Sequence, residues 1–411
     1  MKRWVYIILL LLCSSVFAFG QTRNDTDLSL SDHAREVAER NAAQGFNDTI
    51  DRLDPDFVLV SLCVADPTDW RDEALGAAGH AFLRLQCPTF NLDYCFSYEG
   101  ESITANFYQY ICGKTKMGMF AIPTSTYVED YRRWNRSVHE YRLNMPPESE
   151  QRLWDIMDNH LTNGITLRQD LNKYGCAITA VKYVKRALRE VPIVYASNTE
   201  LMYMTPREIG YRTMANHPWY RLLYLFFADN AAGSDIPLDE KLIIPVDLAE
   251  VWQHATVNGQ PFAVYIGDMV EGTPLDNRKP WFTPMLLAIL ILLTTIGMAF
   301  TRYPYWDWLL LGVQAIFGVL LIVLWVIMPH FWGPAFILLA LFNPLPAIGW
   351  YWHRYWALPY ACVLLIWCLV MTAELLWGHV LVDWPHIVLA LAFSVVCAKQ
   401  LFANRKIANP S

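Results

Sequence analysis

Hydrophobic and polar positions divide the chain into three parts. Residues 4–13 form a short apolar run, and residues 21–279 then mix apolar positions with most of the charges. From residue 280 onward charges become rare, and apolar runs of nearly membrane-spanning length follow one another. We therefore predict a membrane domain of about five helices at 280–404 and a tail at 405–411. The runs cover about 282–301, 308–328, 334–350, 357–377 and 385–402.

The N-terminal run has the three parts of a secretory signal peptide. Lys2 and Arg3 form the charged end, and the apolar core that follows is too short to span a bilayer. The small residues Ala18 and Gly20 come next. We predict that residues 1–20 are removed on export and that the domain at 21–279 folds outside the cytoplasm.

Charges in the loops between the apolar runs predict the orientation of the membrane domain. Arg302, Arg354 and the basic tail fall on one side, whereas the loops at 329–333 and 378–384 contain no Lys or Arg. Because loops rich in Lys and Arg stay in the cytoplasm, the uncharged loops are predicted to face outward. The exported domain lies on that same side.

Several polar residues lie inside or at the edges of the apolar runs. A polar group at membrane depth is costly, so each is a candidate for function, with hydrogen bonding between helices as the alternative. The third run carries Pro334, Pro344 and Pro346 and is predicted to be broken or re-entrant. The candidates are His330, Asn343, Glu374, His379 and Asp383.

The exported domain alternates strand patterns with amphipathic helix patterns. Helical periodicity predicts helices at 148–161 and 177–189, after a helix-like lead at 28–44. The order of elements predicts an α+β domain with a small antiparallel sheet. Its strands are predicted at 57–64, 81–85, 92–98 and 138–144.

Composition and missing motifs exclude some classes of function. The formal net charge of −7 leaves no basic surface for nucleic acid, so no nucleic-acid partner is expected. The chain has no phosphate-binding loop and no paired Cys-x-x-Cys signature. We therefore predict neither a metal site nor a cofactor.

The candidate chemistry lies at Cys176, which leads directly into a predicted helix. Unpaired N–H groups at a helix N-terminus favour a thiolate, and they can also hold an oxyanion on a substrate carbonyl. A cysteine nucleophile needs a base, and His80 at the start of a predicted strand is the natural candidate. A third residue is expected to orient His80 from the adjacent strand. Asp93, Ser97 and Glu99 are the candidates for it.

A structural role for Cys176 is the alternative interpretation, since a lone cysteine before a helix is more often structural than catalytic. Five cysteines lie in the exported part, and an odd number leaves at least one thiol free or paired between chains. Cys176 has four potential disulfide partners there. Pairing Cys87 with Cys95 across a predicted hairpin, and Cys63 with Cys112, would instead leave Cys176 free.

The order of histidine before a helix-capping cysteine resembles circularly permuted papain-like thiol enzymes. More closely, the chain resembles the Lnb-type lipoprotein N-acyltransferases of Bacteroides-like bacteria, over about residues 57 to 350. It is a divergent member, since Ala81 and Gly175 differ from the residues common in that family. The matching stretches are Gly79–Leu85, Tyr98–Gly100, Asn106–Tyr108, Gly113–Thr115, Arg136–Glu140, Leu143–Asn144, Asn172–Cys176, His217–Trp219, Gly233–Asp235, Leu242–Leu248, His330 and Asn343–Leu345.

The resemblance implies transfer of a fatty acyl chain, through a thioester on Cys176, onto the N-terminal amine of a bacterial lipoprotein. His80 would take the thiol proton and pass it to the leaving alcohol. The implied partners are diacylglyceryl lipoproteins, a phospholipid acyl donor, or both. The implied location is the bacterial inner membrane, with the N-terminal domain in the periplasm.

Two other functions are compatible with the same residues. A cell-wall cysteine amidase or peptidase would use the same dyad, although it would have less need of a membrane domain. A non-enzymatic membrane binding module would leave Cys176 structural. If the acyltransferase prediction is right, Cys176 Sγ should lie within about 4 Å of a His80 ring nitrogen. The dyad should then open toward the outer leaflet.

Overall fold

The structure is a computed structural model of the whole chain. It describes residues 58–68, 78–100, 115–168, 175–227, 236–273, 280–301, 303–327, 334–352 and 356–408. The chain divides into two compact units, with boundaries after residues 202, 236 and 276. We call them the α+β unit, which contains residues on both sides of the 203–236 segment, and the helical unit, which contains that segment and the C-terminal third.

The α+β unit is built on an antiparallel sheet that has seven strands among the described residues. The strand order is β6-β4-β3-β2-β1-β5-β9, and two further short strands, β7 and β8, form a separate ribbon. The strands are β1 (Leu59–Ala65), β2 (His80–Cys87), β3 (Leu92–Gly100), β4 (Lys116–Pro123), β5 (Val138–Leu143), β6 (Thr166–Arg168), β7 (Thr256–Val257), β8 (Gln260–Pro261) and β9 (Ala263–Val270).

The α+β class and the four strands predicted from the sequence are confirmed as β1, β2, β3 and β5. The sheet is larger than predicted, because β4, β6 and β9 were missed. β9 is an edge strand whose exposed residues include Tyr265 and Ile266. It therefore lacks the alternation of buried apolar and exposed polar residues from which a strand is predicted. A permuted papain-like arrangement remains a prediction.

Helices cover both faces of this sheet. α2 and α3 pack together, α3 packs on β2 and β3, and α7 packs on β1. The first helix, α1, packs on β3, β4 and β9. The helices of the α+β unit are α1 (Thr124–Arg133), α2 (Pro147–Asn163), α3 (Cys176–Leu188), α6 (Leu238–Lys241) and α7 (Pro245–Gln253).

The face under α1 contains an aromatic cluster. Phe82 of β2 stacks on Tyr131 with a centroid distance of 5.8 Å and meets the edge of Tyr127 at 4.7 Å. All three side chains are buried, together with Cys63 and Cys95 of the neighbouring strands. Because side chains alternate along a strand, His80 lies on the same face as Phe82.

A sharp turn sets the start of β2. Gly79 has φ +85, and a Cβ atom at this position would lie 2.9 Å from the carbonyl oxygen of Ala65. Ala65 is also the strand partner of His80. Glycine is therefore required both by the left-handed backbone and by the close approach of β1.

The predicted disulfides are not formed. Cys63, Cys87, Cys95 and Cys176 form no disulfide, and Cys112 lies outside the described residues. In the β2–β3 hairpin, Cys95 pairs with Arg84, whereas Cys87 lies three residues further along β2 and thus on the opposite face. The free state of Cys176 agrees with a catalytic role.

The helical unit contains three described helices that are long and apolar enough to cross a membrane. These are the segments Tyr305–Leu324, Ala357–Leu376 and Trp384–Leu401. The first predicted run forms a shorter apolar helix, and the third is divided in two. The helices of this unit are α4 (Pro206–Thr213), α5 (Pro218–Phe227), α8 (Pro284–Ala299), α9 (Tyr305–Ile327), α10 (Pro334–Leu341), α11 (Leu345–Trp352), α12 (Ala357–Leu376) and α13 (Trp384–Ala408).

The predicted break in the third run lies between α10 and α11. The Asn343 side chain accepts a hydrogen bond of 2.9 Å from the backbone N–H of Leu345, at the start of α11. Gln314 of α9, which is fully buried, donates to the carbonyl oxygen of Leu341 and to the hydroxyl of Tyr360. Polar side chains thus satisfy carbonyl groups that the break releases from helical hydrogen bonding.

Residues 203–236 were assigned to the exported domain from the sequence, but their described part packs with the helical unit. Asp383, just before α13, is buried, and Arg221 of α5 donates to it from Nε at 3.0 Å and from Nη2 at 2.9 Å. Tyr211 of α4 donates to the same carboxylate at 2.8 Å. Both nitrogens of Arg221 contact the same oxygen, Oδ2 of the buried Asp383. The spacing of polar residues along one segment does not predict such a contact between distant parts of the chain.

Replacing Gly79 with alanine should destabilise the protein more than the same change at Gly259. Gly259 also has a positive φ, +74, but no atom lies within 4 Å of its added Cβ. Both variants lose about 1–2 kcal/mol from backbone strain. Only Gly79→Ala adds the clash with Ala65, so its melting temperature in detergent should fall further. Equal losses would contradict a tight approach of β1 to this turn.

Candidate active site

Cys176 is the first residue of α3, after the extended residue Gly175. Burial of Ala177, Val181 and Val184 holds one face of this amphipathic helix against the sheet. The thiol accepts hydrogen bonds from backbone N–H groups of Ala81 and Ala177, as well as from its own. Since Ala81 follows His80, the helix start lies at the beginning of β2, where the predicted base is located.

The expected lowering of the Cys176 pKa is wrong. Burial raises the pKa of the thiol above its ordinary value, and this effect outweighs the backbone N–H groups and the nearby Arg136 guanidinium, which act in the opposite direction. Desolvation destabilises the thiolate by more than the few backbone dipoles at a helix end stabilise it. The resting nucleophile is therefore a neutral thiol that needs a base.

His80 is suited to be that base. Burial lowers its pKa to about 3, with a further contribution from the positive charge of Arg136. The imidazole is therefore neutral at physiological pH and can accept a proton. Its Nε2 lies 2.8 Å from Ser97 Oγ, which leaves Nδ1 as the other ring nitrogen.

Ser97 is the orienting residue among the three predicted candidates. It lies on β3 and is fully buried, and its oxygen is 3.2 Å from the Tyr127 hydroxyl. That hydroxyl is also 3.1 Å from Glu99 Oε1. A phenol has one proton and a carboxylate only accepts, so Tyr127 donates to Glu99 and accepts from Ser97. Ser97 then accepts from His80 Nε2, and Nδ1 is left as the basic nitrogen.

Glu99 thus contributes at the far end of this chain of hydrogen bonds, but Asp93 does not. Asp93 accepts from Arg84 Nε at 2.8 Å and from the Thr124 hydroxyl at 2.6 Å. It lies four residues before Ser97 on the same face of β3, and its partners are structural. Its assignment as a residue that orients His80 is corrected accordingly.

The neighbouring His139 is not an alternative base. Its two ring nitrogens lie 2.5 Å from Asp268 and 3.2 Å from Asp66. Hydrogen bonds to these carboxylates raise its pKa to about 9, with Asp66 the larger cause. The His139 imidazolium on β5 is thus hydrogen-bonded to Asp268 on β9 and to Asp66 at the end of β1. Both of its ring nitrogens are occupied by these contacts, so neither is available to a substrate.

Arg136 is the residue at this site to which sequence reasoning gave no role. Its side chain is buried, and its positive charge lowers the pKa of both His80 and Cys176. Arg136 is the first residue of Arg136–Glu140, one of the stretches on which the family resemblance rests. That position is the signal from which a role could have been predicted.

The structure also contains a cavity on the face of the sheet that carries Phe82 and Arg84. Neither Cys176 nor His80 lines this cavity. It has a volume of about 310 Å³ and is lined by residues that include Arg84, Glu140 and Asp268. The guanidinium of Arg84 donates to Asp93 and, at 2.8 Å, to Glu140. These charges are paired within the protein, so the cavity is a weaker candidate for catalysis than the start of β2.

The predicted membrane-side residues are not gathered into one cluster by the described contacts. His330 lies outside the described residues, and Asn343 caps a helix. Glu374, in the last turn of α12, and His379, which follows that helix, pair with each other at 2.9 Å. For these three, local hydrogen bonding accounts for the polar side chain. Within the described ranges, no cluster of three His, Cys, Asp or Glu residues has the geometry of a metal site.

No protein-family model, curated protein or solved structure matches this chain significantly. The assignment of function therefore depends on the residues and on their geometry.

Alkylation of Cys176 by iodoacetamide should have its midpoint at a higher pH than alkylation of an unstructured cysteine peptide. Because the pKa of the thiol is raised, the reactive thiolate appears only as the pH rises beyond its usual range of about 8.5. Mass spectrometry of labelling rates between pH 6 and about 10 measures this midpoint. A midpoint at or below that of the peptide would indicate a thiolate–imidazolium pair instead.

Proposed function

We propose that the protein is an acyltransferase that moves a fatty acyl chain, through a thioester on Cys176, onto the N-terminal amine of a bacterial lipoprotein. The observation that carries the proposal is a thiol outside any disulfide at the start of α3, which accepts a hydrogen bond from the backbone N–H of Ala81, the residue that follows the neutral His80 in the chain. A separation of about 4 Å between Cys176 Sγ and a ring nitrogen of His80 stays a prediction. The family resemblance of the sequence supports the substrate class. On this proposal the domain with the dyad faces the periplasm and the apolar helices cross the inner membrane.

The first half-reaction begins from neutral groups. His80 Nδ1 takes the proton of the Cys176 thiol while the sulfur attacks an ester carbonyl of the acyl donor. The carbon–oxygen bond of the ester then breaks, and the imidazolium returns its proton to the leaving alcohol. The product is a thioester on Cys176 and a neutral His80.

The second half-reaction uses the same groups in reverse. The amine of the acceptor attacks the thioester carbonyl, the carbon–nitrogen bond forms, and the carbon–sulfur bond breaks. His80 takes a proton from the attacking amine and returns it to the departing sulfur. Thioesters react readily with amines, which favours cysteine over serine at this position.

Backbone N–H groups at the start of α3 are suited to stabilise the oxyanion in both steps. The groups of Cys176 and Ala177 have no partner one turn earlier in the helix, and a helix N-terminus favours negative charge. They contact the resting sulfur, so they lie beside the carbonyl carbon that the sulfur attacks. These N–H groups can then stabilise the negative charge that develops on the carbonyl oxygen, without reorganisation of the site.

The apolar helices support a lipid substrate over a soluble one. Removing an acyl chain from lipid into water costs about 0.8 kcal/mol for each methylene group, so a chain of roughly sixteen carbons cannot leave the bilayer unassisted. Three helices of membrane-spanning length in the same chain keep the enzyme where such chains are. A hydrolase of soluble cell-wall crosslinks would gain little from them.

Cells that produce Cys176→Ala should lack the N-terminal acyl group on their lipoproteins. The variant retains the fold, because alanine fits the first turn of a helix, but it has no nucleophile. Mass spectrometry of lipoprotein N-termini from cells with the wild-type protein, with the variant and without either protein is the measurement. Cys87→Ala provides a control with another buried thiol of the α+β unit.

Two outcomes would contradict the proposal. Unchanged N-acylation in cells with Cys176→Ala would exclude this thiol as the nucleophile. Altered peptidoglycan fragments in the same cells, with normally acylated lipoproteins, would instead support a cell-wall amidase.

Ser97→Ala should lower the rate of acyl transfer by roughly tenfold or more, because His80 loses the partner that fixes its tautomer. Asp93→Asn is the matched control on the same strand face. It weakens contacts to Arg84 and Thr124, so it should lower the melting temperature and leave the rate of the folded enzyme nearly unchanged. The reverse pattern would assign the orienting role to Asp93.

A further inference from the structure

The guanidinium of Arg136 is a buried cation that forms no ion pair among the residues that the structure describes. The nearby carboxylate of Asp66, whose pKa the charge of Arg136 helps to lower, is paired with His139 instead. Arg136 is 7% exposed, and its Nη2 is buried without any hydrogen-bond partner. Burying an unpaired charge and an unsatisfied donor is costly, so such groups are rare in folded proteins unless they serve a function.

Two contacts fix the direction of this side chain. Its Nε donates to the carbonyl oxygen of Asp66, and its guanidinium lies 5.5 Å from the ring centroid of Tyr131. Asp66 follows Ala65, the strand partner of His80. The guanidinium is thereby anchored at the end of the sheet where β2 begins.

The backbone around Arg136 is also held tightly. Asn135 has a left-handed φ of 51, and the amide of Asp66 donates to the carbonyl oxygen of Ser137 at 3.0 Å. A Cβ atom on Gly272 would lie 2.6 Å from the nitrogen of Ser137, so the segment after β9 packs closely on this turn. The packed turn and the two contacts of the guanidinium hold the unpaired Nη2 donor at the site.

Arg84, which lies on β2 on the same face as His80, is an arginine whose positive charge is neutralised by neighbouring carboxylates. Its guanidinium donates to the carboxylates of both Asp93 and Glu140. Arg136 has no such pair among the described residues, although its charge reaches both members of the dyad. A positive charge beside a thiol nucleophile is a suitable place for an anionic group of the substrate.

We propose that Arg136 binds an anionic oxygen of the substrate at the start of β2, namely the phosphodiester of a glycerophospholipid that donates the acyl chain. This inference rests on the proposed function for the identity of the donor. A guanidinium fits phosphate oxygens well, because its planar fork can form two parallel hydrogen bonds. Binding of the donor phosphate would hold the ester near the sulfur, and its negative charge would pair with the positive charge of Arg136.

The first test compares alkylation of Cys176 by iodoacetate, an anion, and by iodoacetamide, its neutral analogue, in the full-length protein in detergent. The ratio of the two rates should be higher than for an unstructured cysteine peptide. In Arg136→Gln the ratio should fall by about three- to tenfold, as expected for losing one nearby charge at low ionic strength. Arg136→Lys should retain most of the ratio, and Arg142→Gln, a change on β5 just beyond this turn, should retain all of it.

The second test identifies the ligand class. Glycerol 3-phosphate, at concentrations where glycerol has no effect, should slow the alkylation of Cys176 by iodoacetamide in the wild type but not in Arg136→Gln. Both measurements use a chemical probe and not acyl transfer, so they remain informative if the protein transfers no acyl chain. Melting temperatures of the variants show whether each is folded.

A wild-type ratio equal to that of the peptide would overturn the inference without using any variant. So would a ratio that Arg136→Gln leaves unchanged, or a Cys176 that neither reagent labels. Protection by acetate but not by glycerol 3-phosphate would replace the phosphodiester with a carboxylate and overturn the assignment of the donor.

Discussion

The arrangement of the candidate site depends on the contact between the first turn of α3 and the first residues of β2. The backbone N–H of Ala81 donates to the sulfur of Cys176, and this brings a helix start to the place where the sheet presents His80. The contact requires the turn at Gly79, because only glycine tolerates both its left-handed backbone and the approach of Ala65. The proposed nucleophile and the proposed base therefore lie on two regular elements, a helix and a strand.

Burial has opposite consequences for the two groups and makes them compatible. Desolvation disfavours the charged form of each, so it raises the pKa of the thiol and lowers that of the imidazole to about 3. The resting pair is neutral, and the proton transfers only when a substrate carbonyl can accept the sulfur. A neutral pair costs less to bury than a thiolate–imidazolium pair would.

The hydrogen-bonded chain from His80 through Ser97 and Tyr127 to Glu99 gives this neutral pair its direction. Its acceptor end is a carboxylate, so each donor in the chain points toward Glu99, and Nδ1 of His80 keeps the basic lone pair. Arg136 adds a fixed positive charge that favours the thiolate as it forms. In the helical unit, two polar residues that interrupt apolar segments also have partners, since Asn343 accepts from the N–H of Leu345 and Asp383 is paired with Arg221.

The sequence by itself predicted the elements, because the periodicity of apolar residues records which face of a segment is buried. It predicted β1, β2, β3, β5 and α3, the broken third apolar run, and Cys176 at a helix start. The tertiary structure alone decided the through-space relations. These are the choice of Ser97 over Asp93, the raised pKa of the thiol, the separation of Cys87 and Cys95 onto opposite faces, and the approach of Arg136. Each depends on strand register and on desolvation by residues distant in the chain, which no local pattern encodes.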